Sequence, residues 1–212
     1  MKDRLAVLYR ARKAALEAEA AVLDVADDAE LVPRLALALD EARAEKERTE
    51  RSFRLQVLAD LLARVEDAAA TALLLGVLND PDPSVRARAG MAIARGGSAS
   101  LPILAKVVLD ALDEGIEGPA LLELPGLLLD CADVDTPPPL DVLVRLLDHE
   151  DADIAAEAAC ALAEIDAPGV RELLESFVED DRKLSDVVDG PPTLGALVSQ
   201  LLDTLALDDD VP

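Results

Sequence analysis

Two stretches of this chain, 69 residues apart, say nearly the same thing. Leu73-Leu-Leu-Gly-Val-Leu-Asn-Asp-Pro-Asp-Pro-Ser-Val-Arg-Ala-Arg-Ala-Gly-Met-Ala-Ile-Ala94 aligns without a gap on Val142-Leu-Val-Arg-Leu-Leu-Asp-His-Glu-Asp-Ala-Asp-Ile-Ala-Ala-Glu-Ala-Ala-Cys-Ala-Leu-Ala163. Each copy is an apolar run, an acidic turn and an alanine-rich run. A repeated helix-turn-helix unit predicts an α-solenoid, because one hairpin cannot bury its apolar face alone and a stack of hairpins can.

Composition agrees with helix. Leu, Ala and Glu outnumber the β-branched residues, and no stretch alternates with period two. Aromatic residues make up 1% of the chain, so leucine, alanine and valine must build the core. No run of 18 apolar residues is uninterrupted, and Met1-Lys-Asp-Arg-Leu5 lacks an apolar signal core. A cytoplasmic protein without a membrane span is expected. Cys131 and Cys160 have neither a CxxC nor a metal-ligand spacing.

Three regions follow from the pattern. Residues 1–66 read as a long helical hairpin, a cap or a dimerisation element: one helix over 2–24, a short break, and one helix of about 54 Å over 30–66. Pairs such as Glu47 with Arg51 and Glu50 with Arg54 would carry that helix through its polar middle. Lys2, Arg4, Arg10, Arg12 and Lys13 would face Glu41, Glu45, Glu47 and Glu50, within one chain or between two. The protein would accordingly be a monomer, or a homodimer through residues 1–66. Residues 67–207 read as the repeat array, with helices near 68–79, 83–95, 101–112, after Gly118-Pro119, 139–149, 151–165, 168–180 and 193–206. Residues 208–212 form an acidic tail. Pro125 falls inside the fourth of these helices and should bend it.

The net charge is −24, with 20 basic and 44 acidic residues. Residues 1–66 hold 12 basic against 14 acidic residues, and residues 67–212 hold 8 against 30. Such a surface repels nucleic acid, which needs a basic footprint. It would attract a basic protein segment, or serve only solubility or a salt-rich host.

The unit Leu74-x-x-Val77-Leu78-Asn79-Asp80-Pro81-Asp82-Pro83-Ser84-Val85-Arg86-x-x-Ala89-x-x-Ala92-Ile93 resembles a HEAT repeat, of the short bacterial and archaeal type found in bilin lyases. The resemblance covers about 68–180 well and 181–206 loosely. It implies right-handed stacking of hairpins and a ladder of turn Asp and B-helix Arg, here Asp82 and Arg86. The second copy departs from it, with Ala155 where Arg is usual. HEAT-like arrays generally serve as protein-binding scaffolds. The resemblance also leaves room for a bilin- or cofactor-lyase relative, or a nucleic-acid-processing HEAT protein or its acidic mimic.

Catalytic groups are sparse. His149, the only histidine, sits in Asp148-His-Glu-Asp-Ala-Asp153, which lacks the glycine and terminal glutamate of a calcium loop and the paired ligands of a zinc site. One histidine cannot furnish a nucleophile-base set, and Arg95-Gly-Gly-Ser98 is not a phosphate loop. A non-enzymatic protein without cofactor or metal is expected. The more informative set is geometric. If Val85, Ala89, Ala92 and Ile93 are buried, then Arg88, Met91 and Arg95 share the opposite face. Leu124, Leu127 and Cys131, then Glu157, Cys160 and Glu164, occupy the matching positions of the next two B helices. That inner face would run from basic through apolar to acidic and would receive a basic protein partner. Alternatively, Pro125 rotates its helix and buries Leu124 and Leu127.

Overall fold

The computed structural model describes residues 13–14, 17–18, 20–21, 30–165, 167–185 and 190–208, with side chains as far as 205. The described residues form nine helices and no strand; a single isolated bridge joins Lys183 to Thr193. The chain divides into two compact units, residues 1–92 and 93–212.

The first unit holds α1 (Leu31–Ala44), α2 (Arg48–Leu62), α3 (Ala68–Leu78) and the start of α4 (Pro83–Asp113). The expected single helix over 30–66 is not there. The chain breaks at Glu45–Glu47, and α1 and α2 fold against each other as a hairpin. The reason is capping chemistry. The Glu45 carboxylate accepts from the Lys46 and Glu47 amides at 2.8 and 3.1 Å. Glu47 then caps α2, accepting from the Thr49 and Glu50 amides at 2.9 and 2.6 Å. Acids able to bond their own backbone compete with helix continuation and favour a new N-terminus. Of the two expected i,i+4 pairs, Glu50–Arg54 forms at 2.7 Å, while Glu47 is spent on the cap. The expected pairing of residues 2–24 with the next helix lies outside the described residues, as do residues 209–212 of the acidic tail.

Leucines at helical spacing fill the first core: Leu31, Leu35 and Leu39 of α1, Leu55, Leu58 and Leu62 of α2, Leu74 and Leu78 of α3. Each full burial contributes roughly 2 kcal/mol. Three side-chain bonds set α2 parallel to the start of α4. Ser52 Oγ donates to Asp82 at 2.8 Å, Gln56 Nε2 to Ser84 Oγ at 3.4 Å, and Arg88 Nε to Asp60 at 3.0 Å.

α4 has one non-helical residue, Gly97, at φ 55° and ψ −156°, a region essentially reserved for glycine. The expected stop at Gly96-Gly97-Ser98 is therefore real as a break between two helical arms. By length and composition α4 is also the one described helix able to cross a membrane, although 33% of its most apolar stretch is buried in the fold.

The second unit continues with α5 (Ala120–Cys131), α6 (Leu140–Leu147), α7 (Ala152–Ala163), α8 (Val170–Glu175) and α9 (Leu194–Asp208). α7 is its centre: α5, α6, α8 and α9 all pack on it. Ala155, Ala158, Ala159 and Ala161 are buried there, and small side chains let neighbours approach closely. α9 begins against the turn after α8. Gly195 donates to the Asp180 carbonyl at 3.0 Å, and a Cβ on Gly195 would stand 2.8 Å from that same oxygen. Glycine is required at this close approach.

Candidate interaction surface

The turns are built from one pattern used repeatedly. A side chain at position i accepts the amide of i+2, and the side chain at i+2 accepts the amide of i+4. In the first unit, Asp80 accepts from Asp82 N at 2.9 Å and Asp82 from Ser84 N at 3.0 Å. Glu45 and Glu47, 35 residues earlier, make the same steps. In the second unit, His149 Nδ1 accepts from Asp151 N at 3.0 Å, and Asp151 accepts from Asp153 N at 2.9 Å. The only histidine thus replaces a carboxylate in the turn. Among the described residues no group of three or more His, Cys, Asp or Glu could hold a metal ion.

In the first unit, long side chains close over the turn. Arg51 Nη2 donates to Asp80 Oδ2 at 2.6 Å, and the Asp80 side chain is only 4% exposed. Hydrogen bonds from the Ser52 and Ser84 hydroxyls and the Ser84 amide, with Arg48 nearby, hold the Asp82 carboxyl well below its ordinary range. Arg86 donates to the Asp80 carbonyl at 3.1 Å and to the Pro81 carbonyl at 3.3 Å. Arg86, matched to the ladder arginine, thus reaches back into its own turn. In the second unit the sequence puts Ala155 in the place of Arg86, and Arg182 bonds the His149 carbonyl and Asp180 instead.

The seven residues assigned to an inner face divide between the units. Arg88 and Met91 belong to the first. Met91 is 53% exposed, and Arg88 is tied to Asp60. Arg95, Leu124, Leu127, Glu157 and Glu164 belong to the second. Arg95, Glu157 and Glu164 are exposed, and Leu127 is half-buried. Leu124 is 0% exposed and lies in the core, so it leaves the surface. The repeat alignment assumed that α5 buries the same stripe as α4, which buries Val85, Ala89, Ala92 and Ile93. In α5 the stripe is Leu121, Leu124, Pro125, Leu128 and Cys131, and Leu129 is only half-buried. Pro125 has no amide to complete the helix ladder, and a helix altered at that point presents a different face.

A different set of exposed residues stands out in the second unit. α5 and α9 flank α7. Outward they carry Leu122, Glu123, Gly126, Leu127 and Asp130 from α5, Glu157, Cys160 and Glu164 from α7 and its C-cap, and Gln200 and Asp203 from α9. None of these three helices contains Lys, Arg or His; the basic residues of this unit sit elsewhere, as Lys106 on α4, Arg145 on α6 and Arg171 on α8. Leu122 is 40% exposed. Burial, then the Glu157 and Glu164 charges, push the Cys160 thiol up, and burial takes Cys131 up to about 11, so neither is an activated nucleophile. Leu122 and Gly126 were missed in the sequence because the face was taken from the α4 register. The absence of cations from all three helices was legible there.

Comparison of the chain with protein-family models, with curated proteins and with solved structures finds no match.

Proposed function

We propose that the chain is a non-enzymatic protein-binding scaffold, an α-solenoid of HEAT-like hairpins whose first hairpin is α1–α2. On this reading the cation-free face of α5, α7 and α9 receives a basic segment of a partner protein. The observation that carries it is charge segregation along the chain: α5, α7 and α9, two of which pack on the third, expose Asp130, Glu157, Glu164 at the α7 C-cap and Asp203, without a single Lys or Arg on the three helices. Electrostatic complementarity of this kind sets partner choice and association rate more than affinity. Leu122 and Leu127 add the apolar contact that an interface core needs. The recurrence of the two-step turn at residues 45, 80 and 149 supports the repeat architecture.

The test is affinity capture followed by direct titration with the purified binding partner. Leu127→Glu and the double variant Glu157→Lys/Glu164→Lys are expected to weaken binding by about tenfold or more, or about 1.4 kcal/mol. A partner indifferent to both variants overturns the proposal. Met91→Glu, in the first unit, tests whether a partner also uses that unit.

A further inference from the structure

We infer that His149 is a proton-operated latch: a proton taken up at Nδ1 opens the turn between α6 and α7 and loosens the strap over residues 180–185 from it. At residues 45 and 80 the same turn is held by a carboxylate, and at residue 149 by an imidazole. The Asp151 amide donates to His149 Nδ1 at 3.0 Å. A ring nitrogen accepts only through its lone pair, so this bond exists only while Nδ1 holds no proton. A proton there sets two donors face to face, and the ring must turn away. His149 is half-buried, within reach of solvent protons. Imidazoles exchange their proton between about pH 5 and 8, where carboxylates stay ionised. The turn at residue 149 therefore answers to mild acid, and those at residues 45 and 80 do not.

The turn holds more than its own backbone. Arg182 Nη1 donates to the His149 carbonyl, and the Ser185 amide donates to the Asp153 carboxylate at 2.8 Å. Asp153 lies in the first turn of α7, where its amide donates to the Asp151 cap at 2.9 Å. Both anchors of the strap thus sit on residues that the His149–Asp151 bond positions. On its other side the strap seats α9. The Arg182 carbonyl accepts from Leu194 N and the Asp180 carbonyl from Gly195 N, each at 3.0 Å. The charges around the ring decide where it goes. Asp148, Glu150, Asp151 and Asp153 belong to the turn, and the strap adds Asp181, Lys183 and Arg182, the last paired with Asp180. On α6, Arg145 is paired with Asp113. The helices packed on α7 bring Glu123, Asp130, Glu172, Glu175 and Asp203 with the cation Arg171. An imidazolium leaving Asp151 N has the exposed carboxylates Asp148 and Glu150 as its neighbours in the chain.

The isotope-labelled full chain is titrated from about pH 8 to about 5 and followed by NMR. The Asp151 and Ser185 amides are expected to shift with the midpoint of the His149 ring nitrogens. Protection of the Asp151 amide from hydrogen exchange, taken relative to the free-peptide rate at each pH, should fall by about fivefold or more. The Ala69 amide, capped by Asp67 at 2.7 Å, is the control and should keep its shift and protection. His149→Asn keeps a side-chain acceptor able to take the amide two residues on, without a titrating ring. In that variant the Asp151 and Ser185 amides should stay in place over the same range. An Asp151 amide that stays still while the wild-type ring titrates overturns the latch. So does equal movement in His149→Asn, which assigns the response to the neighbouring carboxylates, and so does a ring that already holds its proton on Nδ1 at about pH 8. A Ser185 amide that ignores the midpoint overturns the link to the strap.

Discussion

The turn at Asp80–Asp82 and the turn at His149–Asp151 are the same piece of backbone held with different chemistry. In both, a side chain takes the amide two residues on, and the next cap takes the amide two further on. Around the first, Arg51, Arg48 and Ser52 reach across from α2 and close over two carboxylates. Around the second, an imidazole replaces one carboxylate, α5 offers no cation, and Arg182 reaches in from beyond α8 to the His149 carbonyl. The first unit closes its turn with arginines from α2. The second ties its turn through Arg182 and pairs Arg145 with Asp113, while α5, α7 and α9 themselves carry no cation and pack through alanine and leucine. Stability and surface charge are thus obtained from the same turn in two ways, and the difference can be broken experimentally.

Acid should act most strongly, because it reaches several turn carboxylates at once. Glu45, Glu47 and Asp82 in the first unit, and Asp133 and Asp180 in the second, are held below their ordinary values by the hydrogen bonds they accept. For Asp133 these come first from the Ser98 hydroxyl and then from the Thr136 amide; for Asp180 they come first from the Arg182 side chain. A carboxyl whose folded pKa is lowered stabilises the fold above its unfolded value, near 4, and that contribution is lost as pH falls through the folded pKa. Tm should fall as pH is taken from about 5 towards 2, and Asp82→Asn should flatten part of the slope. A pH-independent Tm over that window would contradict the caps.

Among single substitutions, Asp80→Ala should cost most. It strands Arg51 beside a nearly buried site, and breaking such a pair costs about 3 kcal/mol. Gly195→Ala should cost about 2 kcal/mol, because the new Cβ meets the Val178 carbonyl first and the Asp180 carbonyl next. His149→Ala removes one acceptor and should cost about 1 kcal/mol. Urea denaturation orders these three, and an equal cost for Asp80→Ala and His149→Ala would erase the contrast between the turns. Asp113→Ala releases only the exposed Arg145 and should change stability by about 0.5 kcal/mol or less. The same titrations check it.

Much of the helical layout was legible in the sequence. The expected helices at 68–79, 101–112 and 151–165 match α3, the second arm of α4 and α7 to within a few residues. Gly118-Pro119 does precede α5, although Pro119 is its N-cap rather than its first helical residue, and its missing amide is one the helix start leaves without an intrahelical partner. The break at Glu45–Glu47 was not legible by the rule applied, which looked for Gly, Pro or Asn. The signal present was two acids spaced by two, at a distance of 35 residues from Asp80 and Asp82. Leu124 failed for another reason. Spacing alone puts it opposite the α4 core, but Pro125 resets which side of α5 is buried. Glu157 and Glu164 were placed on the surface correctly because α7 is an undistorted alanine-rich helix.

The two-step turn has a consequence for how such a chain varies. It fixes where an acceptor atom must sit and leaves open whether glutamate, aspartate or histidine brings it there. Backbone instruction and surface character are then separate variables. A hairpin can change sign, or lose its charge, while the path of the chain stays put. Such a chain can change its surface by drifting at its turns and exposed faces, without first risking its ability to fold.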